Sequence, residues 1–220
     1  AYETGNVLAT ERLAAAAARA GVRRFVFVSS AKASGESSGG RPLSEDDPAD
    51  PRDDYARSKL EAERRLLSVA AKSRLEAVIL RPPLVYGPGA RANLLALLRL
   101  VDRGVPLPVA GIENRRSLVY VGNLLAAIEA CLGHPGAAGR TFFVADARPV
   151  STPELVRAIA AGLGRPARMF RAPAALLPRS VRGSLELDTT RIRSALGWRP
   201  AVDFADGIAA TCRWFAAARR

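Results

Sequence analysis

Two short runs, Arg24-Phe25-Val26-Phe27-Val28 and Leu75-Glu76-Ala77-Val78-Ile79-Leu80, constrain this chain most. Both carry apolar residues at consecutive positions rather than alternate ones. A strand with that pattern needs cover on both faces, which is the situation in a parallel sheet with helices packed against it. Parallel neighbours cannot be joined by a tight turn, so a crossover, usually helical, must lie between them. Residues 55–74 supply one: a charged, amphipathic stretch with helical spacing.

The same alternation continues. Residues 5–20 read as a helix with Gly21 at the position that favours a left-handed residue. Residues 29–54 are loop-like, rich in Ser, Gly, Pro and Asp, and Pro82, Pro83, Pro88 and Gly89 break the chain after the second run. Helices are predicted over residues 93–103, 123–132, 190–196 and 205–217, with another starting at Ser151-Thr152-Pro153-Glu154. Residues 117–121 read as extended and Thr141-Phe142-Phe143-Val144-Ala145 as a third strong strand. Strands alternating with helices predict an α/β fold: part of a doubly wound parallel sheet plus a smaller α/β lobe.

Composition excludes several classes. At 49% hydrophobic residues the chain can build a core. It has no run near twenty apolar residues, so no membrane span is expected. The net charge of +12 invites a polyanion partner. However, of the 33 basic residues only Lys32, Lys59 and Lys72 are lysines, and the arginines are scattered through an Ala-rich chain without interleaved aromatics. That pattern points away from nucleic acid and towards a small anionic ligand. Cys131 and Cys212 lie far apart and outside any CxxC context, which suits buried thiols in a reducing cytoplasm. His134 is the single histidine, at a helix end beside Pro135, so it is read as structural and no metal site is expected.

Chemistry concentrates at Tyr55-Ala56-Arg57-Ser58-Lys59. Residues four apart on a helix share a face, so Tyr55 and Lys59 can point into one site. A phenol titrates near 10, and a neighbouring ammonium favours the phenolate. A phenolate poised nearer neutrality can take a hydroxyl proton while the carbon loses hydride. In open parallel sheets, ligand sites lie beyond the carboxyl ends of the strands. The first run leads there into Ser29-Ser30-Ala31-Lys32-Ala33-Ser34-Gly35, where the Ser30 hydroxyl can donate to a substrate oxygen. The second run ends in Arg81-Pro82-Pro83-Leu84-Val85-Tyr86-Gly87-Pro88-Gly89 at the same edge.

These residues resemble the extended short-chain dehydrogenases, the NAD-dependent epimerase/dehydratase family typified by UDP-glucose 4-epimerase. The resemblance runs from Asn6-Val7 and Gly21-Val22-Arg23-Arg24-Phe25-Val26 through Arg116-Ser117-Leu118-Val119-Tyr120-Val121 and Asn123-Leu124 to Leu196-Gly197-Trp198-Arg199-Pro200. The segments Gly104-Val105-Pro106-Leu107-Pro108 and Asn114-Arg115-Arg116-Ser117 are closer still to bacterial O-antigen enzymes of the UDP-N-acetylquinovosamine 4-dehydrogenase type. The resemblance implies a Rossmann-like fold and NAD(P)-dependent oxidation or epimerisation at a hydroxyl, C4 foremost, of a UDP-sugar. NAD is the expected cofactor; the residues that choose between it and NADP lie outside the matched motifs. A full-length homodimer in the cytoplasm is implied.

Carried over, the resemblance makes Tyr55 the base, Lys59 its tuner and a ribose ligand, and Ser30 the partner of the reacting oxygen. Asn6, Ser29, Pro82 and Pro83 would line the cofactor. Leu84, Asn93 and Arg116 would face the substrate, the last two at its diphosphate, which suits a helix N-terminus and a guanidinium. Two positions depart from the pattern: Ser34 stands where many members carry Tyr, and Leu84 where they carry Asn. The rival reading is a non-catalytic nucleotide-binding member or an inactive fragment, but Tyr55 and Lys59 are both present.

Gly87-Pro88-Gly89-Ala90-Arg91-Ala92 also matches the G-x-G-x-x-A dinucleotide fingerprint. The residues Arg81 to Tyr86 separate it from the preceding predicted strand, so it is rejected here. The Gly-rich turn is expected ahead of residue 5, with the inner strands of the sheet, which would leave the strand at Phe25 to Val28 with an open edge. The domain reading assigns 1–84 and 117–147 to the dinucleotide-binding part, and 85–116 and 148–220 to the substrate lobe.

Overall fold

The structure, a computed structural model, describes residues 2–219. The chain forms two compact units. The first comprises Ala1–Pro83, Leu124–Val144 and Leu187–Arg199; the second comprises Leu84–Asn123, Ala145–Glu186 and Pro200–Arg220.

In the first unit, π-helical turns at Glu3–Leu8 run directly into helix α1 (Ala9–Arg19). Gly21 then takes φ +73°, and the Val22 amide bonds back to the Ala17 carbonyl at 3.0 Å, which is the closing turn that only a residue tolerant of positive φ makes cheaply. Strand β1 (Arg24–Val28) follows, then helix α2 (Asp54–Ala71) and strand β2 (Glu76–Arg81). β1 pairs in parallel with β2 in register from Arg24 opposite Glu76 to Val28 opposite Leu80. β2 pairs on its other side with β5 (Thr141–Phe143), also parallel, giving the order β1-β2-β5. As expected of a strand with cover on both faces, β2 is buried from Ala77 to Arg81. β1 is an edge strand among the described residues, with Arg24 to Phe27 part-buried and Val28 exposed. Its apolar side chains Phe25 and Phe27 join Ala14 of α1, Leu66 of α2, and Leu75, Ala77 and Ile79 in one core. Arg24 anchors the unit's opposite end: its guanidinium binds Glu76 at 2.6 Å and the His134 carbonyl at 2.7 Å.

The second unit holds a separate two-stranded parallel pair, β3 (Leu84–Tyr86) with β4 (Leu118–Tyr120). Helices α3 (Ala92–Asp102), α5 (Thr152–Gly162) and α8 (Phe204–Ala217) pack around Tyr86, Leu94, Leu98, Leu118, Ile159 and Phe215; α4 (Val121–Gly133) follows β4, and the short α6 (Arg179–Arg182) follows α5. The start of α5 is a capping box, Ser151 with Glu154, as its sequence suggests. Asp146 ties this unit together. Its carboxylate accepts from the Tyr86 hydroxyl at 2.7 Å, the Tyr120 amide at 3.1 Å and the Asn123 amide group at 2.8 Å. Asn123 passes the connection on to the Ala201 and Val202 amides.

Two sequence-based expectations need correction. The stretch 117–147 was expected to return whole to the large sheet, and 187–199 was grouped with the substrate lobe. Instead β4 pairs with β3, while helix α7 (Thr190–Leu196) packs on β5 in the first unit. The turn at Gly87 also follows a strand directly, since Leu84 to Tyr86 is β3. The ground on which it was rejected as a dinucleotide turn therefore fails, but another replaces it. A Cβ on Gly87 would collide with Val121 and lie 3.3 Å from the Tyr120 ring, so the glycine serves close side-chain packing rather than the approach of a phosphate.

Gly87 (φ +141°) has no room for a Cβ, whereas Gly89 (φ +83°) faces open space. Gly87→Ala is expected to destabilise the protein by more than Gly89→Ala. The latter should cost only backbone strain, about 1 kcal/mol. Equilibrium denaturation of the two variants checks the order, and equal losses would contradict this packing.

Candidate active site

The site begins with how α2 starts. Asp53 is extended, and its carboxylate accepts from the Ala56 amide at 2.7 Å, capping the helix and placing Tyr55 in its first turn. A helix crossing between parallel strands begins near their carboxyl ends, so that first turn faces the segment after β1. Ser30 there opens a short 3₁₀ turn, Ala31–Ala33, by accepting from the Lys32 amide. The Ser30 hydroxyl lies near enough to the Tyr55 phenol to lower its pKa. Lys59 extends to the end of β1, where its ammonium donates to the Val28 carbonyl at 3.1 Å and lies 4.9 Å from the centre of the Phe27 ring.

The electrostatics differ from the sequence-based picture. Burial is the largest influence on Tyr55 and holds its phenol above the usual 10; Ser30 and Lys32 pull it down, and Asp53 pushes it up. The cation felt most strongly at the phenol is thus Lys32, not Lys59. Lys32 bridges Asp53 at 2.5 Å and Glu36 at 2.8 Å, and although burial opposes its charge, those two carboxylates keep its pKa raised. Burial lowers the pKa of Lys59, against the supporting charge of Glu63. Burial thus outweighs the neighbouring cation at the phenol.

The other sequence-derived residues of this unit are close by but face differently. The Asn6 amide donates to the Ser58 hydroxyl at 3.0 Å, and that hydroxyl donates to the Tyr55 carbonyl, joining the first turns of the chain to α2. The Ser29 hydroxyl is buried and turned inward, donating to Glu63 at 2.5 Å. Pro82 is buried and its carbonyl accepts from the Ala31 amide at 2.8 Å, while Pro83 is part-buried. Tyr2, which the sequence did not single out, meets the Tyr55 ring edge-on at 5.8 Å.

Leu84, Asn93 and Arg116 belong to the second unit. Leu84 opens β3 and is 39% exposed. Asn93 is exposed in the first turn of α3. Arg116 forms an antiparallel bridge with Val150, and its guanidinium donates to the Gly183 carbonyl at 3.0 Å. Buried Asn114 binds the Val181 and Gly183 carbonyls and caps the Thr152 amide, so Asn114 and Arg116 together hold the 181–185 segment. His134 accepts from the Gly136 amide, a capping role consistent with its structural reading. Cys131 and Cys212 are free and buried, each thiol pushed up to about 11 by burial. Among the described residues no group of His, Cys, Asp and Glu is placed to hold a metal, and no helix is long and apolar enough to cross a membrane.

Missing from the sequence reading were Lys32, Asp53 and Glu63. Glu63 carried a usable signal: it lies four residues beyond Lys59 and eight beyond Tyr55, on the same helix face.

Comparison with known proteins identifies the family. The family model described as the NAD dependent epimerase/dehydratase family matches residues 1–145. The chain is 40% identical to a UDP-glucose 4-epimerase of Vibrio cholerae over 97% of this chain and 70% of that protein. It is 35% identical to a UDP-glucose 4-epimerase of Mycolicibacterium smegmatis (strain ATCC 700084 / mc(2)155), over 96% of this chain and 68% of that one. Among solved structures, MoeE5 in complex with UDP-glucuronic acid and NAD superposes with a TM-score of 0.81 at 30% identity, covering 98% of this chain and 72% of MoeE5. The fold is α/β and Rossmann-like, with parallel sheets, and the chain belongs to the NAD-dependent epimerase/dehydratase family.

Proposed function

We propose that this chain carries the chemical centre of an NAD-dependent enzyme that oxidises a hydroxyl, at C4, of a UDP-sugar. The observation that carries the proposal is the placing of Tyr55 and Lys59 in the first turns of α2 against the strand end, where Lys59 is anchored on the Val28 carbonyl and the Ser30 hydroxyl is near enough to lower the Tyr55 pKa. The donor set suits NAD. An ammonium has three N–H donors, and the Val28 carbonyl takes one from Lys59. Two remain for the adjacent hydroxyls of a ribose.

When bound, NAD accepts the hydride and, in its oxidised form, brings a positively charged ring. Ser30 donates to the reacting sugar oxygen and holds it beside the Tyr55 phenol. Tyr55, as phenolate, takes the hydroxyl proton as the C–H bond breaks and the C=O bond forms. Lys59 holds the ribose and adds positive charge on the same helix face. Burial holds the phenol above its usual pKa, and the neighbouring Ser30 hydroxyl and Lys32 ammonium oppose that rise. Return of the hydride to the opposite face would complete epimerisation, while release of the ketone would leave a dehydrogenase.

Residues 1–83 and 124–144 are proposed as part of the dinucleotide-binding domain, and the second unit as the substrate lobe, with Leu84, Asn93 and Arg116 toward the UDP-sugar. Asn6, Pro82 and Pro83 are proposed to border the cofactor. The Ser29 side chain points inward, so only its backbone is offered to a ligand.

Tyr55→Phe removes only the phenolic oxygen. It is expected to abolish turnover of a UDP-hexose with the fold intact by circular dichroism. In the ligand-free protein, ultraviolet titration of wild type against Tyr55→Phe should place the Tyr55 transition above 10. Retained turnover would refute the assignment of Tyr55 as base.

Arg116→Ala is expected to weaken UDP binding by about 1.5–3 kcal/mol, the worth of a charge-assisted contact, and to leave NAD binding unchanged. Calorimetry with each ligand checks this, and equal UDP affinities would remove Arg116 from the substrate site.

A further inference from the structure

Below the Ser30 loop lies a buried ion pair that the proposed chemistry does not use. The Arg81 and Glu63 side chains are 10% and 3% exposed. Arg81 Nη2 donates to Glu63 Oε2 at 2.5 Å, and its Nε donates to Oε1 at 3.0 Å. The third guanidinium nitrogen, Nη1, donates to the Ser34 hydroxyl at 2.9 Å. Glu63 Oε1 also accepts from the Ser29 hydroxyl at 2.5 Å. Desolvation consumes most of the attraction within such a pair, and apolar residues of like volume often stabilise a core as well or better. Stability alone is therefore a weak reason for placing two charges here.

What the pair does is connect. Arg81 ends β2, Glu63 sits in the middle of α2, Ser29 follows β1, and Ser34 closes the loop that begins at Ser30. Backbone bonds complete the frame: the Ser29 amide donates to Leu80 at 2.7 Å and the Ala31 amide to Pro82 at 2.8 Å. Ser30 is thus held from both sides, by residues fastened to β2 and, through one carboxylate, to α2. That carboxylate shares the helix face of Tyr55 and Lys59. The separation of the Ser30 hydroxyl from the phenol is accordingly set by a group two turns further along the phenol's own helix.

We propose that Glu63 is a positioning residue: through Ser29 and Arg81 it fixes the Ser30 loop against the helix that carries Tyr55 and Lys59. The proposal rests on the reading of Ser30 and Tyr55 as the groups that handle the substrate hydroxyl. It assigns Glu63 no contact with substrate or cofactor. Its consequence is geometric. Without the carboxylate the loop drifts, the Ser30 hydroxyl moves relative to the phenol, and a misplacement on the order of 1 Å at reacting groups costs about 100-fold in rate. Lys59, whose charge the Glu63 carboxylate supports, also responds to a change at Glu63; Ser29→Ala leaves that carboxylate in place and isolates the positional effect. Because the nearby Ser30 hydroxyl lowers the Tyr55 pKa, moving it away raises the pH at which the base becomes competent.

The test uses the natural protein that carries this chain, with NAD and a UDP-hexose, comparing wild type, Glu63→Gln, Ser29→Ala and Tyr55→Phe. For Glu63→Gln the expected result is a fall in kcat of about 100-fold, an unchanged KM, and an acid limb of the kcat profile displaced to higher pH. Ser29→Ala keeps the ion pair and removes only the link, so it should show the same pattern to a smaller degree. If Glu63→Gln does not fold, Ser29→Ala decides by the same criteria. Folded variants with wild-type kcat overturn the proposal. So does a lower melting temperature or a lower kcat with the acid limb unmoved, which would mark the pair as structural. Tyr55→Phe separates the two levels. If it is inactive while the other variants match wild type, only the positioning role falls. If it turns over, the reading of the site falls and this inference with it.

Discussion

The parallel pairing of β1 with β2 is the constraint on which the site depends. In register from Arg24–Glu76 to Val28–Leu80, it ends both strands at one level, so the Ser29–Ser30 and Pro82–Pro83 segments emerge side by side. Parallel pairing forces a crossover, and a crossover helix must start at the end where the first strand finishes. The first turns of α2 therefore lie against the loop after β1, and a residue pair four apart in those turns acquires the opportunity to act with Ser30. The catalytic reading of Tyr55 and Lys59 is in this sense a consequence of sheet topology before it is one of side-chain chemistry.

Those parts were legible because they rest on local pattern. Consecutive apolar residues in β2 required cover on both faces, and the strand is buried from Ala77 to Arg81. Gly21 marked the end of α1 because a positive φ is cheap only there, and Ser151 with Glu154 marked the start of α5. The i, i+4 spacing of Tyr55 and Lys59 predicted a shared face. The family followed from the order of the motifs, since each segment taken singly is an ordinary turn or helix.

What escaped was long-range. Nothing near Tyr86 says that its hydroxyl will meet Asp146, sixty residues on, or that Asn123 will join the same carboxylate. Once formed, that cluster fixes β4 beside β3 rather than in the larger sheet, and so moves the boundary between units away from its sequence-based place. Charge was misjudged for a related reason. Spacing brought Lys59 to Tyr55's face, but a flexible side chain settles where its bonds are, and the Val28 carbonyl claims it. Lys32, distant in sequence from Tyr55 but adjacent through the Ser30 turn, supplies the field at the phenol. Burial, which spacing cannot report, then outweighs both.

The proposed function comes down to one chemical step, the removal of hydride from C4 of a UDP-sugar and its transfer to NAD. Isotope transfer tests it directly. The natural protein carrying this chain would be given UDP-hexose bearing deuterium at C4 together with NAD, and the reduced cofactor analysed by mass spectrometry after quenching. The account predicts one deuterium on the reduced cofactor. Reduced cofactor that carries no deuterium, with the label still on the sugar, would contradict it.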